Sequence, residues 1–396
     1  MRHDALGAAP AAALAYRLAD SVTETAQREA GGVRVGILGA GQLGQMLALA
    51  GIPLGMRFTF FSPTQSESAE AVGDVVIGEY DDAAALRSFA SSVDVVTYEF
   101  ENVSSDAVTE IEQVCPVWPP RAALVTSQDR GLEKQQFEQL GIPVAPYRLV
   151  GSLADLETAV RDVGMPGILK TRRFGYDGKG QTRIAARSEA EAAWNALGPA
   201  PLVYEGLVEF ERELSVIAVR SRDGTTHCYP VAENRHRDGI LRTSLAPADH
   251  LTDAKRHQAE GYARALLGAF GYVGVFAIEM FDTAAGLIVN EMAPRVHNSG
   301  HWTIEGAETS QFENHVRAVC GLPLGDCAPV GYSAMFNLIG QHPDSARVLA
   351  VPDVHLHLYG KSERAGRKLG HVTVRSRSRE DLQRHAEALR AIPSIV

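Results

Sequence analysis

From Val33 onward the chain alternates short apolar runs with amphipathic stretches. Residues 33–38, Val-Arg-Val-Gly-Ile-Leu, are a buried-strand candidate. Gly39-Ala-Gly41-Gln42-Leu43-Gly44 follows and leads into a helical run through Ala50. Residues 58–61, 75–77 and 93–97 read as three more strands. Strands alternating with helices predict a parallel sheet. Ligands of such sheets collect at the carboxyl ends of the strands, where Tyr98-Glu99-Phe100-Glu101-Asn102 lies. Asp129 reads as the N-cap of a helix through Phe137, and residues 141–146 break the pattern. A second region of mixed strands and helices runs to about residue 323. Strands at 354–359 and 372–374 and a polar helix at 380–391 complete the chain. The fold class is α/β, α+β overall.

One hairpin carries a pair of acids. Apolar stretches flank the Gly-containing turn Asp282-Thr-Ala-Ala-Gly286, and closing it sets Glu279 beside Glu291, with Asn290 adding a neutral oxygen. Two carboxylates on adjacent strands repel unless a cation lies between them. Mg²⁺ fits, because it takes oxygen ligands and is commonly held by one or two carboxylates plus substrate phosphates. Two solvated glutamates at strand ends would look the same; a lysine-bearing glycine loop upstream favours the metal.

Composition narrows the class. The chain has 396 residues, 45% of them hydrophobic and 22% charged, which suits a soluble protein of two or three domains. A net charge of −10 argues against a general nucleic-acid binder. No apolar run is long enough to span a bilayer. The four cysteines form no metal-like pattern and read as reduced thiols of a cytoplasmic protein. Residues 1–32 are alanine-rich with interspersed charges, and read as a flexible extension rather than a signal peptide.

The stretch 39–44 matches the dinucleotide pattern GxGxxG. The next strand ends at Ser62, without the acid that would bind a ribose, so a small phosphorylated ligand is at least as good a reading as NAD. A second glycine loop, 170–181, carries three glycines and four cations, a composition suited to a flap over a triphosphate. It is not a Walker loop, because Gly180 follows Lys179. The acids of 205–213 can accept hydrogen bonds from adenine or ribose. Arg295, His297 and Asn298, just after the carboxylate hairpin, offer donors to a small oxyanion. The spacing of His297 and His301 resembles a zinc helix, but Pro294 and Gly300 disfavour one there. The basic loop 361–368 could hold a phosphate monoester or be a solvated turn.

In order along the chain stand Gly-Gln-Leu-Gly, Gly-Tyr-Asp-Gly-Lys-Gly-Gln, Asn234-Arg-His236-Arg-Asp-Gly239, Asn290-Glu291, Ala-Pro-Arg-Val-His-Asn-Ser-Gly-His-Trp and Gly366-Arg-Lys-Leu-Gly-His371. This series resembles the 5-(carboxyamino)imidazole ribonucleotide synthase family of ATP-grasp enzymes, from about Val33 to the C-terminus. The resemblance implies an ATP-grasp fold with a Rossmann-like N-terminal domain (33–128), an ATP-grasp domain (129–327) and a small C-terminal domain (328–396), after the extension 1–32. It implies a homodimer that joins aminoimidazole ribonucleotide to bicarbonate at the expense of ATP.

By matching position, the resemblance implies that Lys134 and Lys170 touch the ATP phosphates, under a flap containing Gly175, Tyr176, Gly178, Gly180 and Gln181. Glu205, Val208 and Glu213 hold adenine and ribose, while His236 and Asn290 border the nucleotide. Glu279 and Glu291 bind Mg²⁺. Gln42, Leu43, Glu99, Tyr176, Asp177 and Lys179 face the ribonucleotide, and Lys361 and Arg367 take its 5′-phosphate. Arg295, His297 and Asn298 orient bicarbonate and carboxyphosphate, with Asp177 or His297 handling the amine proton. Phe174 stands where a small residue is expected at the start of the flap.

The chemistry agrees. Bicarbonate is a poor electrophile until phosphorylation converts its leaving group from hydroxide to phosphate. Carboxyphosphate then needs a closed site. The rivals are an ATP-grasp ligase for a different nucleotide, an NAD-dependent oxidoreductase built on 39–44, and a non-catalytic ATP-binding regulator.

Overall fold

The computed structural model describes residues 32–175, 179–198 and 200–395. The extension 1–31 and the flap residues Tyr176, Asp177 and Gly178 lie outside the described residues.

Strands β1 (Arg34–Leu38), β2 (Arg57–Ser62), β3 (Asp74–Ile77) and β4 (Val95–Tyr98) form a parallel sheet in the order β3-β2-β1-β4. Each expected N-terminal strand is present, because each is a short apolar run; β1, β2 and β4 are largely buried, while β3 is a half-exposed edge strand. Gly36 is needed in β1: a Cβ there would lie 2.7 Å from the Phe89 ring and 2.9 Å from Val96.

β5 (Tyr147–Val150), β6 (Gly167–Thr171), β7 (Gln181–Ile184) and β8 (Leu202–Gly206) make a second, antiparallel sheet in the order β5-β8-β6-β7. The third and largest sheet contains β9 (Arg212–Arg220), β10 (Thr226–Cys228), β11 (Ala232–Arg237), β12 (Ile240–Ala246), β13 (Gly274–Thr283), β14 (Gly286–Ala293), β15 (Tyr332–Ile339), β16 (Val354–Leu358) and β17 (Lys368–Ser376). Its order is β14-β13-β9-β11-β12-β15-β17-β16, with β10 on β9. Because β12 pairs with β15, the C-terminal strands continue the central sheet instead of starting a new one.

One core joins the first and third sheets. Ile37, Leu47 and Phe60 pack in the same cluster as Ile217, Val275 and Phe312. A polar staple reinforces it. Fully buried His315 accepts the Val275 N–H at Nδ1 (3.0 Å), which puts its own proton on Nε2, 2.8 Å from the Thr97 hydroxyl of β4.

Burial pushes the His315 imidazole down from 6.5 to about 3. A histidine held neutral contributes stability that is present above its unfolded pKa and lost as pH falls toward the folded one. The chain should therefore lose stability between 6.5 and about 3. The expected slope from this residue is up to about 1.4 kcal/mol per pH unit. Denaturant unfolding across that range reads it. His315→Gln should start from lower stability near neutrality and show a shallower slope; an unchanged slope contradicts the assignment.

Candidate active site

The three sheets enclose a chamber of about 690 Å³. Gln42, Leu43 and Glu99 line one end, Lys170, Gly175, Lys179, Gln181, Glu205 and Val208 another, and Glu213, His236, Glu279, Asn290, Glu291, Arg295, His297 and Asn298 the floor. Lys134 and Lys361 stand behind this lining and reach it through Glu205 and Gln42. Arg367 is not on the wall; its guanidinium donates to the Ser362 hydroxyl (2.9 Å), and the next residue, Lys368, lines the chamber.

The hairpin fixes the acids. In the β13–β14 register Glu279 lies directly across from Glu291, and a bulge follows between Glu279 and Met280. Burial first, then the charge of Glu291, pushes the Glu279 carboxyl up to about 7. Two N–H groups already edge the pair. Arg130 Nη1 donates to Glu291 Oε2 (3.1 Å), and His297 Nε2 lies 3.6 Å from Glu279 Oε1. Two opposed acids with the Asn290 oxygen beside them suit a divalent cation that keeps other sites for phosphate oxygens and water. Among the described residues no cluster of three or more His, Cys, Asp and Glu is arranged to hold a metal without such outside ligands.

The phosphate-facing cations are paired. Lys170 donates to Glu205 Oε2 at 3.0 Å, and Lys134 approaches the same oxygen at 3.3 Å. Glu205 Oε1 is buried with no hydrogen-bond partner. At the flap base, Asp129 caps the helix Arg130–Gln139 and accepts from Arg172 Nε (2.9 Å). Phe174 has φ +61° and is 73% exposed. A left-handed backbone favours glycine, which is the physical content of the small residue expected there.

Gln311 and Ser299 shape the string 293–302. Fully buried Gln311 accepts the His297 N–H (3.0 Å) and donates to the His297 carbonyl (2.7 Å). Ser215 donates to Ser299 Oγ (2.8 Å), which bonds His297 Nδ1 (2.9 Å). The Ser299 N–H also donates to that nitrogen, leaving the His297 proton on Nε2, toward Glu279. Burial, then the Arg295 charge, holds this imidazole well below its usual pKa. Asn298–Gly300 is a single 3₁₀ turn rather than a zinc-binding helix, and His301 Nδ1 faces Gln311 instead of His297.

The first glycine loop departs from the dinucleotide-binding pattern. The Gly41 N–H donates to Glu99 Oε1 and the Gly44 N–H to Glu99 Oε2 (2.7 Å). A Cβ at Gly41 would lie 2.7 Å from that carboxylate. An internal acid thus takes two of the N–H donors that a dinucleotide pyrophosphate would need, which weighs against NAD at this loop and leaves Gln42 and Leu43 facing the chamber.

Several chamber residues were not singled out from the sequence, Arg130, Glu133 and Glu101 among them. Arg130 and Glu133 lie on the helix where only Lys134 drew attention. Glu133 Oε1 accepts the Met292 N–H (2.7 Å), tying that helix to β14. Glu101, three residues past the end of β4, pairs with Arg295. The signal for Glu101 was present in the acidic end of β4; the helix residues carried none beyond their charge.

Family models match three stretches: a ribonucleotide synthetase preATP-grasp domain over 33–128, an ATP-grasp domain over 135–312, and a phosphoribosylaminoimidazole carboxylase C-terminal domain over 333–385. An N5-carboxyaminoimidazole ribonucleotide synthase of Pseudomonas aeruginosa is 48% identical over 91% of this chain and 99% of its own. The chain belongs to the N5-carboxyaminoimidazole ribonucleotide synthase family. The synthase of Brucella melitensis is 47% identical over 86% of this chain and 96% of its own. Among solved structures, the synthetase of Thermus thermophilus superimposes with TM-score 0.88 at 51% identity, covering 91% of this chain and 99% of that one. The synthase of Aspergillus clavatus, solved with ADP and 5-aminoimidazole ribonucleotide, gives 0.84 at 32% identity, covering 90% and 97%. As an ATP-grasp ligase of this family, the chain has the α/β fold and three-part organisation expected from its motifs.

Proposed function

We propose that the chamber carboxylates 5-aminoimidazole ribonucleotide with bicarbonate, splitting ATP to ADP and phosphate through carboxyphosphate. One observation carries this reading: a carboxylate pair, phosphate-facing lysines and an Arg-His-Asn donor string open onto one enclosed space.

Lys170, with Lys134 behind it, receives the ATP phosphates, and Arg130 adds a third cation. Glu205, Val208 and Glu213 hold the nucleoside, with Glu205 Oε1 free to accept. Glu279 and Glu291, with the Asn290 oxygen beside them, would hold Mg²⁺, and a bound ion would offset charge on the transferring phosphoryl group. Arg295 presents Nη2, since Nη1 donates to the Val296 carbonyl (3.0 Å) and Nε to Glu101. His297 acts as a neutral donor beside it, so Asp177 is the group that takes the amine proton. Glu99, Gln42 and Leu43 face the ribonucleotide, with Lys361 and Arg367 at its phosphate. The protein works as a homodimer in the cytoplasm; among the described residues no helix is long and apolar enough to cross a membrane.

Phosphate release from ATP and Mg²⁺ tests this reading. Release should require both the ribonucleotide and bicarbonate; release indifferent to the ribonucleotide would point to a ligase for another nucleotide. Arg367→Ala should raise KM for the ribonucleotide about tenfold and leave KM for ATP within about twofold. Equal effects on both would remove the phosphate-clamp role.

A further inference from the structure

Behind the oxyanion donors lies a buried amide. Asn337, on β15, is 1% exposed. Its Nδ2 donates to the Leu241 carbonyl (2.9 Å) and to Asn298 Oδ1 (2.7 Å), and its Oδ1 accepts from Asn298 Nδ2 (3.0 Å). The two side chains form a closed amide pair.

Such a pair keeps both of its bonds if both amides turn over together. The Leu241 carbonyl removes that freedom, because it can only accept. Turning Asn337 would set Oδ1 against this carbonyl and leave two buried acceptors facing each other. Leu241 thereby fixes Asn337, and Asn337 fixes Asn298. In the orientation allowed, the second N–H of Asn298 points away from the pair, and Asn298 lines the chamber. Turned over, Asn298 would offer a carbonyl lone pair there, which repels an anion.

We propose that Asn337 is a positioning residue for the carboxylation step: anchored by the Leu241 carbonyl, it makes Asn298 present an N–H to bicarbonate and carboxyphosphate. The inference rests on the oxyanion reading of Asn298 given above. The string 293–302 sits on the central part of the chain and Asn337 on the C-terminal part, so the C-terminal strands contribute to the chemistry as well as to the sheet.

Asn337→Asp keeps the size and removes both donors. It should raise KM for bicarbonate about tenfold or more. KM for ATP and for the ribonucleotide should stay within about twofold. In an Asn298→Ala background the same change should add nothing, since Asn337 acts only through Asn298. Multiplying effects, or a joint rise of all three KM values, would overturn the proposal. Neutron crystal structures of the wild-type protein and of Asn337→Asp, or of Asn337→Leu if the acid does not fold, tell amide nitrogen from oxygen and judge the positioning without turnover. The Asn298 amide should lose its single wild-type orientation, and an amide still held in that orientation overturns the inference. Wild-type turnover independent of bicarbonate would instead refute the oxyanion reading, leaving the crystal comparison to decide the orientation.

Discussion

Glu291→Gln is expected to lower ribonucleotide-dependent phosphate release by about a thousandfold or more while leaving the fold intact. The substitution keeps the shape but replaces one acceptor oxygen by an NH₂ donor and removes one of two negative charges facing each other across the hairpin. The cation loses a ligand, and Arg130 loses its partner on β14. Glu279 changes as well: burial would still raise its carboxyl, but the second pressure on it is gone. The measurement is kcat as a function of Mg²⁺, with circular dichroism and a urea midpoint as checks on folding. Near-normal turnover with an unchanged Mg²⁺ dependence would remove the metal assignment.

Arg295→Lys is expected to cost about two to three orders of magnitude in kcat/KM for bicarbonate, with KM for ATP within about threefold. Arg295 divides its donors, Nε to Glu101, Nη1 to the Val296 carbonyl, and Nη2 left for the ligand. An ammonium keeps the charge, so half-buried Glu101 is not stranded, but it cannot serve three directions from one plane. Saturation curves for bicarbonate and ATP separate the two effects. A parallel rise in both KM values would mean that Arg295 shapes the whole chamber instead of one ligand.

What could be read ahead of the structure follows from the range of the interactions. The carboxylate hairpin was legible because its turn and both strands lie within a dozen or so residues, and alternation fixes the register. The parallel N-terminal sheet was legible for the same local reason. The dinucleotide fingerprint of the glycine loop was misleading, because the acid that takes its N–H groups, Glu99, is 58 residues from Gly41. Nothing in a GxGxxG pattern reveals that its donors are already satisfied. Arg130 escaped notice since its partner is 161 residues away, and Asn337, an ordinary strand residue in sequence, gains meaning only from Asn298 and the Leu241 carbonyl. The Arg-His-Asn string was readable as chemistry, but its tautomer was not, for that depends on Ser215, Ser299 and Gln311 converging on one turn.

The central claim is that bicarbonate is activated by phosphorylation in this chamber. Incubation with ATP, Mg²⁺, aminoimidazole ribonucleotide and ¹⁸O-labelled bicarbonate tests it directly, by mass analysis of the phosphate released. A bicarbonate oxygen attacks the γ-phosphorus and stays with it when the amine displaces phosphate from carbon. The account predicts phosphate carrying one bicarbonate-derived ¹⁸O per turnover. Ribonucleotide-dependent release of phosphate free of that label would contradict it.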